Sequence, residues 1–511
     1  MELVNDCIYL KKDISKNSSH FNITTDVVIP EFKSTLKKII NCYEDVLIRD
    51  ISFDSNKVVL TGIINYNIVY YSPNYTLDSI THSLKFSHEI SLPSIPPDSI
   101  FDATVNIENS EYEILNEHRI IIKHIAVAFL DHHQRIKIDV LSDVQDSDNI
   151  QILKNSIDVP NYLGHVCEKL FFKENIELNS KNSSIYQILK IDTNIKNTSY
   201  KIVDDKALVS TTFECNLLYL TDNLESPIDS FTFEKDLSQI VNMPGLTDTA
   251  YLNCSLNISD FNLKPIENAD GEQNILDCEA IFDIHVYASL NKTIYTIEDA
   301  YSDSFDINLE KESLPIQNIS QTLNENFYLK NTLPLNSNSS DINVYNLNTR
   351  ILFSECKIIN NKIILEGIVN VAAFIMDDTQ QEKFRVLVQE YPIKHTLDRN
   401  VCDTDTCHYQ INIDKVDYNI NIENNLEFRI NLCINANIIS YKEITLSTNI
   451  AYTPLDQSFV KDKPNLIVYF TQKNDTLWSV AKKYLTTIDA LKSINGLTND
   501  SLEPNQQLLI M

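Results

Sequence analysis

The chain has 511 residues, 43% of them hydrophobic and 22% charged, with only 6 glycines and a formal net charge of −29. That length exceeds what one hydrophobic core can organise and predicts three or four domains. Scarce glycine argues against phosphate-cradling loops, and the acidity argues against nucleic acid or anionic lipid as partner, since both are bound through Lys and Arg.

Residues 1–26 open the chain as a separate N-terminal segment, with no cationic start running into an apolar stretch and hence no secretory signal. No window approaches the length of a membrane span. The best, Gly367 to Met376, contains Asn370, so no transmembrane segment is expected and the chain is expected to stay in the cytosol.

From residue 27 the sequence repeats itself. Three segments begin with a turn and a Lys and continue as a long apolar strand: SNKVVLTGIINYNIVYY from Ser55, DDKALVSTTFECNLLYL from Asp204 and NNKIILEGIVNVAAFIM from Asn360. The anchoring Lys57, Lys206 and Lys362 lie 149 and 156 residues apart, one domain length. Five residues after each Lys come Gly62, Thr211 and Gly367. Glycine inside a strand marks a bulge or a close backbone approach, so the second copy should differ there in curvature.

Upstream of each anchor lies a segment that reads as a short helix: VVIPEFKSTLKKIINCYEDV from Val27, IDVPNYLGHVCEKLFF from Ile157 and LPIQNISQTLNENFYL from Leu314. In the first, Phe32, Leu36, Ile39, Ile40 and Tyr43 fall on one helical face. Downstream comes a second long strand, starting at His118, Asn274 and Asn425. Alternation rich in Val, Ile, Phe and Tyr favours antiparallel sheets with one face packed. The resulting division is 27–148, 149–305 and 306–453, then a linker at 454–466.

Ten cysteines are scattered without a CxxC pair and read as small buried hydrophobes. Cys402 and Cys407, beside His408, are too weak a pattern for a zinc site. Six histidines crowd the first repeat: His82, His88, His118, His124, His132 and His133. Spacing of six could bring strand residues to one face as metal ligands, but solvated or hydrogen-bonded roles are commoner and no metal or cofactor is expected. GxSxG, HExxH, P-loop and GxGxxG motifs are all missing, so no catalytic residue is assigned and the chain reads as a non-enzyme.

Residues 467–511 differ in character, with 4 Lys balancing 4 Asp and Glu. A strand at Ile467 to Thr471 leads to Asn474-Asp475-Thr476-Leu477-Trp478. Asp475 is placed to cap a helix burying Leu477, Val480, Ala481 and Tyr484. A second helix turns Ile488, Leu491 and Ile494 inward and ends at Asn495-Gly496, and a strand at Gln507 to Ile510 closes a βααβ unit.

This unit resembles the LysM family across its whole length. LysM modules usually read GDTLW and PGQ, where this sequence has Asn474 and Asn505 in place of the glycines. The resemblance implies binding of N-acetylglucosamine polymers such as peptidoglycan between two loops. The residues carried over are Asn474, Asp475, Thr476 and Trp478 in the first loop and Asn495, Gly496 and Leu497 in the second. Trp478, the only tryptophan, suits sugar stacking, a protein interface or plain packing.

The repeats over roughly 27–453 resemble the SPOCS family of endospore coat and morphogenesis proteins. A mainly β fold is therefore expected: three tandem β-rich domains, each with a short helix, ahead of a LysM domain. SPOCS repeats joined to one terminal LysM imply a scaffold in the mother-cell cytoplasm, at the forespore surface within the spore coat. They also imply a protein partner, stage IV sporulation protein A (the coat morphogenetic ATPase), with further coat proteins recruited by the repeats. Peptidoglycan binding at the cortex or cell wall is the alternative.

Overall fold

The computed structural model describes residues 2–145, 149–179, 183–221, 227–335, 342–378, 381–455 and 466–511. One six-strand pattern occurs three times. The first unit comprises β1 (Glu2–Val28), β2 (Lys38–Asp54), β3 (Lys57–Tyr71), β4 (Leu77–Ser91), β5 (Ser99–Asn116) and β6 (Arg119–Gln145). The second comprises β7 (Ile150–Glu177), β8 (Ile185–Ile202), β9 (Lys206–Thr221), β10 (Ile228–Asn242), β11 (Tyr251–Ile266) and β12 (Ile275–Ser302). The third comprises β13 (Phe305–Pro334), β14 (Ile342–Ile359), β15 (Lys362–Asp377), β16 (Phe384–Leu397), β17 (Thr406–Ile420) and β18 (Asn425–Pro454).

In each unit the second, third and fourth strands make one antiparallel sheet, and the first, sixth and fifth make the other. Side chains alternating inward from both sheets meet as a sandwich core. In the first unit Leu60, Ile64 and Tyr66 of β3 pack in one cluster with Ile120, Ile122 and Ala126 of β6. The two apolar signals that recur in the sequence are thus the central strands of the two sheets, and Lys57, Lys206 and Lys362 each start one.

The expected helices are strands. Residues 29–37 form a loop with Phe32 exposed and Leu36 buried, and Ile39, Ile40 and Tyr43 lie on β2. The second and third candidates fall within β7 and β13. A bulge resets the alternation in each unit's first strand: Ile14, Leu163 and Ser320 have no partner opposite the pairs His132/His133, Ser289/Ala288 and Ile438/Ile439. Broken alternation of that kind mimics a helical period.

The opening segment 1–26 is likewise not separate. From Glu2 onward it belongs to β1, paired with β6 from Glu2↔Gln145 to Val28↔Arg119. The linker assigned to 454–466 lies almost wholly outside the described residues.

Gly62 needs its glycine. A Cβ there would stand 2.4 Å from the Leu47 carbonyl oxygen and 2.6 Å from the Phe86 ring. At the matching position Thr211 is accommodated because β8 bulges further, passing from Lys196↔Thr212 to Ser199↔Ser210. Thr211 Oγ1 donates to the Lys196 carbonyl at 3.0 Å in the space so made. The second copy does differ there, through its neighbour strand.

Corresponding strands of the three units meet in shared clusters. Val69 and Tyr71, Leu218 and Leu220, and Phe374 and Met376 converge at one end. Ile8 and Val140, Val159 and Ile294, and Ile316 and Leu446 converge along the paired long strands. The three bulges flank a cavity of about 620 Å³ between these ribbons.

Candidate functional site

The C-terminal module consists of β19 (Ile467–Phe470), α1 (Leu477–Tyr484), α2 (Ile488–Asn495) and β20 (Gln507–Ile510), with β19 and β20 antiparallel. Leu477, Val480, Ala481, Leu491, Leu508 and Ile510 form its core. Ile488 packs against that core, whereas Ile494 is half-buried and outside it.

The cap of α1 is Thr476, not Asp475. Thr476 Oγ1 accepts from the Ser479 amide at 3.0 Å, and Ser479 Oγ is 2.9 Å from the Thr476 amide, a reciprocal capping box. Asp475 closes the preceding turn, accepting from the Gln472 amide at 2.7 Å and the Tyr469 hydroxyl at 2.6 Å. Those two bonds, the backbone one first, hold the Asp475 carboxyl below its usual range, while the bond to Asp475 pushes Tyr469 up to about 12.

Asn474 and Asn505, which stand where LysM modules carry glycine, have φ of 76° and 64°. Asparagine tolerates this left-handed region better than most residues, so both turns survive the exchange. Gly496 caps α2 at φ 61°. Asn495 ties α2 to β20: its Nδ2 donates to the Leu491 and Leu509 carbonyls at 2.9 and 2.8 Å, and its Oδ1 accepts from the Leu509 amide at 2.7 Å. Leu497 packs on the core, leaving Asn474, Thr476 and Gly496 as the exposed members of the two loops.

Trp478 anchors an interface within the chain. Its Nε1 donates to Asp299 of β12 at 2.9 Å, and its ring meets Tyr301 edge-on at 4.9 Å. Lys482 Nζ reaches Asp299 at 2.6 and 2.8 Å, and the Tyr301 hydroxyl donates to the Thr486 carbonyl at 2.7 Å. Partial burial raises the Asp299 carboxyl, but the bonds from Lys482 and Trp478 outweigh it and the net shift is downward. Nothing in the sequence signalled this contact, because Asp299 and Tyr301 belong to a strand end far from the module. On the face of β19 away from the domain core, Val468 and Phe470, with the preceding Leu466, are 48%, 53% and 52% exposed.

Four of the six histidines singled out in the first unit lie on hydroxyls, whereas His118 and buried His133 do not. His82 Nε2 lies 2.9 Å from Thr25 Oγ1, His88 Nε2 2.9 Å from Ser19 Oγ, and His132 Nε2 2.9 Å from Ser99 Oγ. His124 bridges Ser110 Oγ and Tyr66 Oη, each at 3.0 Å. Among the described residues no three His, Cys, Asp or Glu side chains are grouped to hold a metal ion. No helix among them is long and apolar enough to cross a membrane. Cys402 is exposed in a turn, and Cys407 points instead to Cys356.

Fold and module together define a multi-unit β protein carrying a small βααβ binding domain. The family model described as SipL, SPOCS domain matches residues 35–115 and again 184–266, and that of the LysM domain matches 469–510. The chain thus carries SPOCS segments of the SipL type followed by a C-terminal LysM domain. Both are non-catalytic binding domains; SPOCS ties the chain to sporulation and LysM to peptidoglycan-binding capacity. The matched SPOCS segments span β2–β5 and β8–β11, and the unmatched β14–β17 share their strand order. Comparison with curated proteins and with solved structures returns no match.

Proposed function

We propose that this protein is a non-enzymatic scaffold for endospore coat assembly whose LysM domain docks to stage IV sporulation protein A at the forespore surface, in the mother-cell cytoplasm. The observation that carries the reading is the outer face of β19, where Leu466, Val468 and Phe470 stay exposed although the domain has a complete core. Apolar side chains grouped on one sheet face suit a protein partner better than a glycan. The third unit is read as a further SPOCS-like domain on its strand order, and the units would space or recruit other coat proteins.

Docking would involve this face together with the exposed Asn474, Thr476 and Gly496 of the two loops, Trp478 being occupied by Asp299 and Tyr301. The test is co-purification of tagged full-length chain with the ATPase, comparing wild type with Phe470→Glu. Phe470 is outside the domain core, so the variant should fold, and recovery should drop at least tenfold. Unchanged recovery would rule the sheet face out as the docking surface.

The second reading, binding of N-acetylglucosamine polymers, is favoured by the LysM match and by the exposed Asn474, Thr476 and Gly496. Pull-down on isolated peptidoglycan with Asn474→Gly, which suits the local backbone, separates the two. Retention on peptidoglycan that Asn474→Gly changes and Phe470→Glu does not would favour the glycan.

A further inference from the structure

Cys356 on β14 and Cys407 on β17 lie 51 residues apart and in different sheets of the third unit, yet their sulfurs are 3.0 Å apart. A disulfide needs about 2.0 Å, so roughly 1 Å of approach separates the pair from a bond. Both side chains are half-buried and pack on the core between the sheets. In the first unit the corresponding strands meet through Phe53 and Phe101, whose rings are 5.1 Å apart, so the thiols occupy a place where the two sheets brace each other.

We propose that Cys356 and Cys407 are a modification site, which closes to a disulfide tying the two sheets of the third unit together when the chain meets a peroxide. The Cys356 thiol donates to Cys407, an arrangement that keeps the proton on Cys356 and favours thiolate at Cys407. The Cys407 thiolate attacks one peroxide oxygen and breaks the O–O bond, giving a sulfenic acid and hydroxide, which leaves as water after taking a proton. The Cys356 sulfur then attacks Cys407 Sγ. Its proton departs with the sulfenic hydroxyl as a second water. Two thiols lose two electrons and one peroxide becomes two waters.

The experiment uses the reduced full-length chain, freed of reductant and treated briefly with equimolar hydrogen peroxide. Remaining thiols are alkylated and the chain is digested without reductant. One cross-linked peptide pair containing Cys356 and Cys407 is expected, lighter by two hydrogens and reopened by dithiothreitol, with the other eight of the 10 cysteines alkylated. In Cys356→Ala the cross-link should vanish and Cys407 should become reactive to dimedone. Recovery of both cysteines alkylated, or cross-linked elsewhere, overturns the proposal, and the wild-type map alone decides this.

Discussion

Replacing Asp299 with alanine should release the LysM domain from the second unit without unfolding either. Asp299 accepts from the Trp478 indole at 2.9 Å and pairs with Lys482 at 2.6 Å. A hydrogen bond to a charged acceptor contributes about 1.5–3 kcal/mol. The Lys482 pair, 45% and 31% exposed, adds only some tenths after screening by solvent. Loss of about 2 kcal/mol lowers the docking equilibrium about 30-fold. The LysM core closes without Asp299 and should remain folded. Because Trp478 is the only tryptophan, intrinsic fluorescence reports this contact directly. Asp299→Ala should shift emission to the red and raise quenching by acrylamide, and Tyr301→Ala should do the same. Wild-type emission and quenching in both variants would refute the intrachain seat.

Three further outcomes are expected. Gly62→Ala places a Cβ 2.4 Å from Leu47 O, and overpacking should cost about 1–3 kcal/mol in denaturant unfolding. Asn495→Ala strips the bonds between α2 and β20 and should destabilise the LysM domain by roughly 1–3 kcal/mol, seen as an earlier Trp478 transition. Burial drives His133 and His165 down to about 4, whereas unfolded chains take up these protons near 6.5. Stability should therefore be full above pH 6.5 and fall as pH drops towards 4. Between pH 7 and 5 the fully buried His133 contributes on the order of 2 kcal/mol and the less buried His165 less. Unfolding at the two pH values, with His133→Asn as the flattened comparison, checks the slope.

What the sequence made visible follows from how strands are paired. β3, β9 and β15, like β6, β12 and β18, are hydrogen-bonded on both sides, and their inward residues are buried at every second position. The edge strands have half that constraint and carry polar stretches. β17, for example, is exposed from Tyr418 to Ile420, so it left no recurring signature. The bulges at Leu163 and Ser320 disguised β7 and β13 as helices, since one unpaired residue flips every later side chain to the other face. The LysM domain was readable because all its elements are local in sequence. Even there the capping assignment slipped by one residue, Thr476 offering the same kind of oxygen as Asp475. The seat of Trp478 on Asp299 and the meeting of Cys356 with Cys407 join residues 179 and 51 positions apart, which no local pattern encodes.

The convergence of corresponding strands from all three units has a consequence for how such an assembly can diversify. Three separate copies would associate only above some concentration and would repeat every feature threefold. One continuous chain makes the association intramolecular, with no dependence on copy number. It also frees each position to differ: hydroxyl-bound histidines in the first unit, the LysM seat at Asp299 and Tyr301 in the second, and the paired thiols in the third.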